Sequence, residues 1–246
     1  MRKPFLHIPP APAILRPMSL VLAVLALLNP LLASQAALSP PLTAHPDSKA
    51  WPDLFASDLS NAIFPAGVWS WKDGVLSPKD KDEIIWSKNT YEDFILDLEF
   101  NLEPAANSGV FVYGTDISNW ITNTVEIQIP DDAAPKWADI PPTWRCGGIF
   151  AHSAPREPAV KKAGDWNRMT IRCHGPMISV LLNGKLVTDM NMKDWKSGKK
   201  NPDGSDIAEF EPRPLAEMAT RGRIGLQGAH GGVPTHFRNL KIKSLD

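Results

Sequence analysis

Short apolar runs separated by turn residues dominate the chain from residue 68 onward. The clearest is residues 94–100, in which four apolar side chains alternate with Ile95, Asp97 and Glu99. A period of two is typical of a strand with one buried face. Asn183-Gly184 separates two further apolar runs and predicts a tight hairpin. Strands are predicted at 68–71, 75–76, 84–86, 94–100, 110–113, 125–129, 166–173, 178–182, 185–187, 223–226 and 237–242.

No stretch has the long 3.6-residue periodicity of an amphipathic helix. Many short strands with Gly, Asn and Pro turns predict an all-β fold, a β-sandwich or jelly roll of two antiparallel sheets. Two long irregular segments, 130–164 and 189–221, interrupt the strands. Irregular connections of that length in a compact domain are usually functional or disordered.

The first residues carry the features of an export signal. Arg2, Lys3 and Arg16 precede or flank an unbroken apolar run at 20–28. That run is too short for a membrane-spanning helix, which needs about 20 residues. We therefore expect residues 1–36 to be a cleaved signal peptide, 37–50 a linker and 51–246 one domain, located in the periplasm or secreted.

Charge and cysteine content narrow the function classes. The 26 Lys and Arg side chains are balanced by 27 Asp and Glu, with no basic tract, so nucleic acid is an unexpected partner. Once the signal peptide is removed, no membrane segment is expected. Cys146 and Cys173 can form a disulfide in an oxidising compartment or remain buried thiols, and the sequence leaves both open.

The stretch from Asn107 to Asp132 carries polar residues that a fold alone does not require. Glu126 and Gln128 are two apart in a predicted strand, so they project from one face, and the apolar residues between and beside them project from the other. This pattern predicts a polar site on the outer face of a sheet.

Several segments, taken together, resemble a known family. They are Leu54-Phe55, Trp69, Asp73-Gly74 and Leu76, 91–94, 107–111, 126–128 with Asp131, 148–150, 164–167, 182–184, 225–227 with His230, and 237–239. In this order and spacing they resemble the 3-keto-disaccharide hydrolase domain, formerly a domain of unknown function, over residues 51–246. The resemblance implies a concanavalin A-like jelly roll that is exported and hydrolyses or eliminates oxidised glycosides or oligosaccharides.

A sugar with a ketone at C3 has an acidified proton at C2, and its glycosidic oxygen lies beta to the carbonyl. Cleavage by elimination needs a base at C2, an acid near the leaving oxygen and a donor for the enolate oxygen. Glu126 is the first candidate for the catalytic carboxylate and His230 the second catalytic residue, as acid or base. The alternatives without a catalytic role are that Glu126 is a solvated side chain on the outer face of the strand and that the glycines around His230 only build a turn.

Further side chains are candidates for substrate binding. Asn107 and Gln128 suit hydrogen bonds to sugar hydroxyls, and Asp131 follows the same strand. Arg238 shares strand parity with Leu240 and Ile242, so it lies at the rim of the strand or needs an acidic partner. It can bind the enolate oxygen or a sugar hydroxyl, or it can hold Glu126 in place through a bidentate pair. Four of the nine tryptophans lie in connections, where their rings can stack on a sugar; they are Trp120, Trp137, Trp144 and Trp195.

The sequence leaves the cofactor and the rival functions open. Glu126, Asp131 and His230 are hard-cation ligands, so a divalent metal is an open alternative, although no spacing demands one. A non-catalytic carbohydrate-binding module on the same fold is the main rival to an enzyme. An ordinary two-carboxylate glycosidase is the weaker rival, because only Glu126 lies on a strand within a matching motif.

Overall fold

The computed structural model describes residues 42–79 and 81–245. The predicted signal peptide lies outside the described residues, as do residues 37–41 of the predicted linker. The described strands are β1 (Ala62–Ile63), β2 (Trp69–Lys72), β3 (Val75–Pro78), β4 (Ile84–Ser87), β5 (Phe94–Leu102), β6 (Asn107–Gly114), β7 (Val125–Pro130), β8 (Trp166–His174), β9 (Met177–Leu182), β10 (Lys185–Asn191), β11 (Arg223–Gln227) and β12 (Thr235–Ser244). The described helices are short 3-10 turns at Ile117–Asn119, Pro135–Trp137, Pro142–Trp144, Met192–Asp194 and Leu215–Glu217.

The strands form two antiparallel sheets. One has five strands in the order β1-β4-β11-β6-β7, and the other has seven in the order β10-β9-β8-β5-β12-β3-β2. Their facing sides enclose one large hydrophobic core. The prediction of an all-β jelly-roll sandwich is confirmed. Among the described residues, no helix combines the length and apolar character needed to cross a membrane.

Alternation along the strands decides which side chains enter the core. Phe94, Leu96, Leu98 and Phe100 of β5 are fully buried between the sheets. In β7 the inward residues 125, 127 and 129 are at most 2% exposed. The side chains of the intervening residues therefore face away from the core, on the outer side of the five-stranded sheet.

The two long irregular segments pack against each other and against β7. The backbone N–H of Phe150 donates to the Glu126 carbonyl oxygen (2.9 Å), and that of Gln128 donates to the Gly148 carbonyl oxygen (3.0 Å). This pairing covers the free edge of β7, which would otherwise expose unpaired backbone groups. Trp195 Nε1 donates to the His152 carbonyl oxygen (3.3 Å), and so links the second segment to the first.

The outer face of the seven-stranded sheet is organised around Asp97, which is 3% exposed. Its carboxylate accepts hydrogen bonds from Ser48 Oγ (2.5 Å), Thr170 Oγ1 (2.5 Å) and Arg168 Nη2 (2.7 Å). Arg168 also donates to the Pro46 carbonyl oxygen (2.6 Å). These bonds fasten the described end of the predicted linker to the sheet.

The predicted parity of Arg238 is wrong. The β12–β5 register shifts between Arg238 and Lys241, and Asn239 adopts a positive φ of 53°. This bulge inserts one extra residue, so Leu240 points into the core while Arg238 points outward. There Arg238 Nε donates to Glu99 Oε2 (2.8 Å), and its guanidinium lies 3.9 Å from the centre of the Trp166 ring.

The two cysteines are buried free thiols, one in the first irregular segment and one in β8. The sequence left a disulfide and two buried thiols open, and the structure has the two buried thiols. Burial raises the pKa of the Cys173 thiol to about 12, so it stays protonated. These side chains act as small apolar core residues.

Replacing Asp97 by Ala should lower the free energy of unfolding by about 3 kcal/mol, because Arg168 and two hydroxyls lose their shared acceptor. Urea unfolding of the purified chain measures this. The control is Glu157→Ala, which removes the exposed ion pair with Lys185 and should cost less than about 1 kcal/mol. Equal losses in the two variants would contradict a special role for the Asp97 cluster.

Candidate active site

A cavity of about 260 Å³ opens on the outer face of the five-stranded sheet. It is lined by Asn107, Trp120, Ile121, Glu126, Gln128, Pro130, Trp137, Ile140, Trp144, Phe150, Phe210, Glu211, Gln227 and His230. The strands contribute a largely polar floor, whereas the irregular segments contribute mainly aromatic and aliphatic walls. A few polar groups converging in an apolar cleft are typical of a small-molecule site.

The position of the Glu126 carboxyl depends on the absence of a side chain at Gly109. Glu126 pairs with Phe111 and Gln128 with Gly109 across the β6–β7 ladder. A Cβ atom at position 109 would lie 2.1 Å from Glu126 Oε1 and 2.8 Å from its Cδ. The Glu126 side chain therefore lies flat across the neighbouring strand, where any other residue at 109 would displace it.

The Gln128 amide holds the Glu126 carboxyl from the other side. Two acceptors, Glu126 Oε1 and the Ser108 carbonyl oxygen, lie 3.1 Å from the same end of this amide. We therefore assign the amide nitrogen to that end, from which it donates to both. The opposite end of the amide lies 3.3 Å from the Asn107 side chain, so Asn107, Gln128 and Glu126 form a continuous polar row.

Two carboxyl groups with raised pKa values share the cavity. Burial, followed by repulsion from Glu211 and Asp82, raises the pKa of Glu126 well above the ordinary carboxyl value. Burial raises the pKa of Glu211 to about 8. Glu211 is therefore mostly protonated at neutral pH and can donate a hydrogen bond. Groups perturbed in this way are concentrated at catalytic sites.

His230 forms the third titratable group of the cavity. It follows β11 and bridges to Asn107 at the start of β6. Its Nδ1 lies 2.5 Å from Asp82 Oδ2, and this contact raises the imidazole pKa. The Asp82 carboxylate fixes the ring orientation and leaves Nε2 as the nitrogen that is free of this contact.

Aromatic rings build the walls. The Trp120 ring lies 4.9 Å from the Phe111 ring, and the Trp144 ring lies 4.8 Å from that of Phe150. Phe210 completes the second cluster yet remains 49% exposed, and Ile121 on the rim is 39% exposed. Exposed apolar surface at the mouth of a cavity, with flat rings inside, suits the apolar faces of sugar rings.

Five of the seven predicted site residues line this cavity. Glu126, His230, Asn107, Gln128 and Trp120 come together from β6, β7 and the segments that follow β6 and β11. Trp137 and Trp144, two of the other tryptophans in connections, line the walls as well. Their roles in catalysis and binding remain predictions.

The remaining two do not line the cavity, and the substrate-binding roles predicted for them do not fit their positions. Asp131 is 5% exposed, and its carboxylate accepts the backbone N–H of Ala105 (2.9 Å), so it stabilises a turn. Arg238 is bound to Glu99 on the other sheet. Trp195, a fourth tryptophan in a connection, is fixed by Asn201 Oδ1 (2.9 Å) and is structural.

Sequence reasoning missed Glu211, Asp82 and Gln227. Glu211 lies in the second irregular segment, where nothing in the local pattern distinguishes it from neighbouring charges. Asp82 precedes β4 and contacts the cavity through its hydrogen bond with His230. Gln227 ends β11 with its side chain on the cavity side, and alternation along that strand would have been the available signal.

The described residues contain no group of three or more His, Cys, Asp or Glu side chains that could hold a metal ion. Asp131, one of the three candidate ligands, is occupied by backbone N–H groups. Glu126 and His230 are the candidate ligands that remain in the cavity.

The jelly-roll fold and the acidic, aromatic-walled cavity suit a saccharide ligand, and the family match makes this a carbohydrate-active protein. Residues 49–243 match the sequence model of the 3-keto-alpha-glucoside-1,2-lyase-like domain, and the chain belongs to this family. The resemblance read from the motifs is thereby confirmed. No curated protein matches the chain.

Three solved structures from Parabacteroides distasonis ATCC 8503, each named as a "putative glycosyl hydrolase", resemble this chain. The first is 52% identical, with a TM-score of 0.77 over 79% of this chain and 99% of its own. The second is 19% identical, with a TM-score of 0.64 over 76% and 90%. The third is 24% identical, with a TM-score of 0.57 over 82% and 86%. The last two support the fold alone.

The raised pKa of the partly buried Glu211 predicts a pH-dependent cost to stability. The unfolded carboxyl ionises near pH 4.5, whereas the folded one keeps its proton until about pH 8. The folded state binds more protons between these values, so stability falls as pH rises through this interval. The melting temperature of Glu211→Gln should therefore rise relative to the unmodified chain from pH 5 to pH 8, and the difference should then level off.

The matched control is Glu209→Gln, two residues away and exposed. Its melting temperature should follow that of the unmodified chain at every pH. A pH-independent difference for Glu211→Gln would contradict a folded-state Glu211 with a raised pKa.

Proposed function

We propose that this chain is an exported enzyme that cleaves the glycosidic bond of 3-keto-glucosides, by elimination across C1 and C2 followed by hydration. The family description supports α-glucosides as the substrate class. The observation that carries the proposal is one cavity holding Glu211, Glu126 and His230, in which Glu126 is within electrostatic reach of both Glu211 and the Asp82 partner of His230.

The reaction breaks two bonds and forms a double bond. A base takes the C2 proton, the C2 electron pair forms the C1=C2 bond, and the C1–oxygen bond breaks. The leaving oxygen receives a proton and departs as an alcohol or sugar. Water then adds across C1=C2, so the net change is hydrolysis without any change in oxidation state.

The three groups can serve three consecutive carbons of the substrate. Glu126 is within electrostatic reach of both Glu211 and Asp82, because both carboxyl groups raise its pKa. With Glu126 at C2, Glu211 faces the C3 carbonyl and His230 faces the C1 oxygen. The C2 proton then faces a base, the C3 oxygen faces a hydrogen-bond donor and the C1 oxygen faces an acid.

Glu126 acts as the base at C2. Its raised pKa makes the ionised carboxylate a stronger base than a solvated one, at the cost of a smaller ionised fraction at neutral pH. The contacts with Gly109 and Gln128 hold it in one position. Such positioning is worth more to a proton transfer than proximity alone.

Glu211 stabilises the developing enolate. With a pKa of about 8 it is protonated at neutral pH and donates a hydrogen bond to the C3 oxygen. A neutral carboxylic acid in an apolar site is an established donor for an enolate. His230, whose pKa is raised by its hydrogen bond to Asp82, delivers a proton to the leaving oxygen at C1.

The buried carboxyl groups favour catalysis over simple binding. Aromatic walls and polar hydroxyl partners serve a binding module and an enzyme equally well. Two carboxyl groups held with raised pKa values weaken folding, whereas sugar hydroxyls can be bound by solvated carboxylates at no such cost. A catalytic requirement explains that arrangement.

Glu126→Gln should reduce kcat/KM on methyl 3-keto-α-glucoside by roughly 10²–10⁴-fold, because the amide cannot accept the C2 proton. Release of methanol by the purified mature protein measures this. Glu157→Gln, on the exposed surface, is the control and should retain full activity. The same assay with a chelator, followed by addition of divalent cations, tests the metal alternative.

The unoxidised parent, methyl α-glucoside, separates the rivals. The proposal expects no cleavage of it. Cleavage of the parent would support an ordinary two-carboxylate glycosidase, and binding of both sugars without turnover would support a carbohydrate-binding module.

The role of Glu211 predicts a pH-dependent effect of two substitutions. Glu211→Gln keeps a hydrogen-bond donor at every pH, whereas the native carboxyl loses its proton near pH 8. The ratio of kcat/KM for Glu211→Gln to that of the unmodified enzyme should therefore rise between pH 6.5 and pH 9. Glu211→Ala lacks a donor and should lose activity at pH 6.5 by roughly 10²-fold.

A ratio for Glu211→Gln that stays constant with pH would contradict the donor role. Circular dichroism at each pH ensures that the compared enzymes are folded.

A further inference from the structure

A second depression, of about 470 Å³, lies on the outer side of the five-stranded sheet, around β1 and β4. Its lining includes Phe64, Asp82, Glu83, Trp86, Ser118 and Trp120. Trp86 is 5% exposed and forms part of its base, and the carboxylates precede β4. We call this depression the β4 groove.

The β4 groove and the cavity share a boundary. Trp120 lines both of them. Asp82 lines the groove, and its Oδ2 lies 2.5 Å from Nδ1 of His230, which lines the cavity. The acid proposed to protonate the leaving oxygen therefore belongs to the boundary between the two spaces.

We propose that the β4 groove binds the leaving-group sugar of a 3-keto-α-glucosyl disaccharide, while the oxidised ring occupies the cavity. This inference rests on the proposed function. The leaving oxygen is the only bridge between the two rings, so the second ring starts where His230 acts. From that point the groove, reached past Trp120, is the adjoining space.

The chemistry of the groove fits a sugar. Asp82, Glu83 and Ser118 offer acceptors and a hydroxyl to sugar hydroxyl groups, while Phe64 and Trp120 offer apolar surface to the ring. The exposed side chains that line the cavity itself, Ile121 and Phe210, are apolar. A leaving sugar, which carries hydroxyls on every side, is better matched by the groove.

Ser118 is the position at which the groove can be blocked without touching the cavity. It is exposed, lies in the Ile117–Asn119 turn and bonds only to Asp116 among the contacts described. A tryptophan at this position fills space in the groove. Ser60 is a close match elsewhere, because it is exposed and its N–H likewise donates to Oδ1 of the aspartate two residues earlier, Asp58.

The experiment compares two substrates that differ only in the leaving group, a 3-keto-α-glucosyl-glucose disaccharide and methyl 3-keto-α-glucoside. Ser118→Trp should raise KM for the disaccharide by about tenfold and leave the methyl glycoside unchanged within about twofold. Ser60→Trp should change neither. Glu83→Ala, which removes a groove acceptor without filling space, should raise KM for the disaccharide alone and serves if Ser118→Trp fails to fold.

The results separate this inference from the proposed function. Suppose that the unmodified enzyme turns over the methyl glycoside. If Ser118→Trp and Glu83→Ala then affect both substrates equally, or affect neither, the groove assignment is overturned and the proposed function stays intact. Failure of the unmodified enzyme to turn over either substrate would overturn the proposed function and the inference with it. A selective effect of Phe210→Ala on the disaccharide, with none of Ser118→Trp or Glu83→Ala, would place the leaving sugar against Phe210 and overturn the groove assignment.

Discussion

The contact between the Glu126 carboxyl and the bare backbone at Gly109 is the constraint on which the rest of the site depends. Glu126 is held in place because its neighbours in β7, Val125 and Ile127, are locked into the core, and a slip of one residue would exchange the two faces of the strand. Gln128 then fixes the carboxyl from the side. A rigid, apolar interior therefore positions an acidic group on the opposite face of the same strand.

The two irregular segments convert that acidic face into a cavity. The first pairs with the edge of β7 and brings Trp144 and Phe150 over the sheet. The second packs on the first through Trp195 and delivers Phe210 and Glu211. These walls keep water from the carboxyl groups, and the same exclusion raises their pKa values. The cavity walls and the raised pKa values of the carboxyl groups therefore result from the same packing of the two segments.

The two outer faces of the sandwich are used differently. On the seven-stranded sheet, Asp97 binds Ser48, near the N-terminal end of the described residues, and Arg238 is neutralised by Glu99. Its polar groups bind one another, so the face adds stability. On the five-stranded sheet the polar groups converge on open space, and burial raises the pKa values of two of them, Glu126 and Glu211, at a cost in folding. The interactions around Asp97 help to offset that cost.

The sequence by itself determined every described strand except the two-residue β1, the fold class and the face of β7 that carries Glu126 and Gln128, because alternation is a local property that survives folding. Tertiary structure alone decided the rest of the site. Glu211 is distant in sequence from β7. Folding brings it into the cavity, and the burial there raises its pKa. Arg238 changed faces because one bulge reversed the parity of β12, and a bulge leaves no mark on hydrophobic alternation until the partner strand is known. Sequence periodicity reports which way a side chain points, whereas folding decides what it meets.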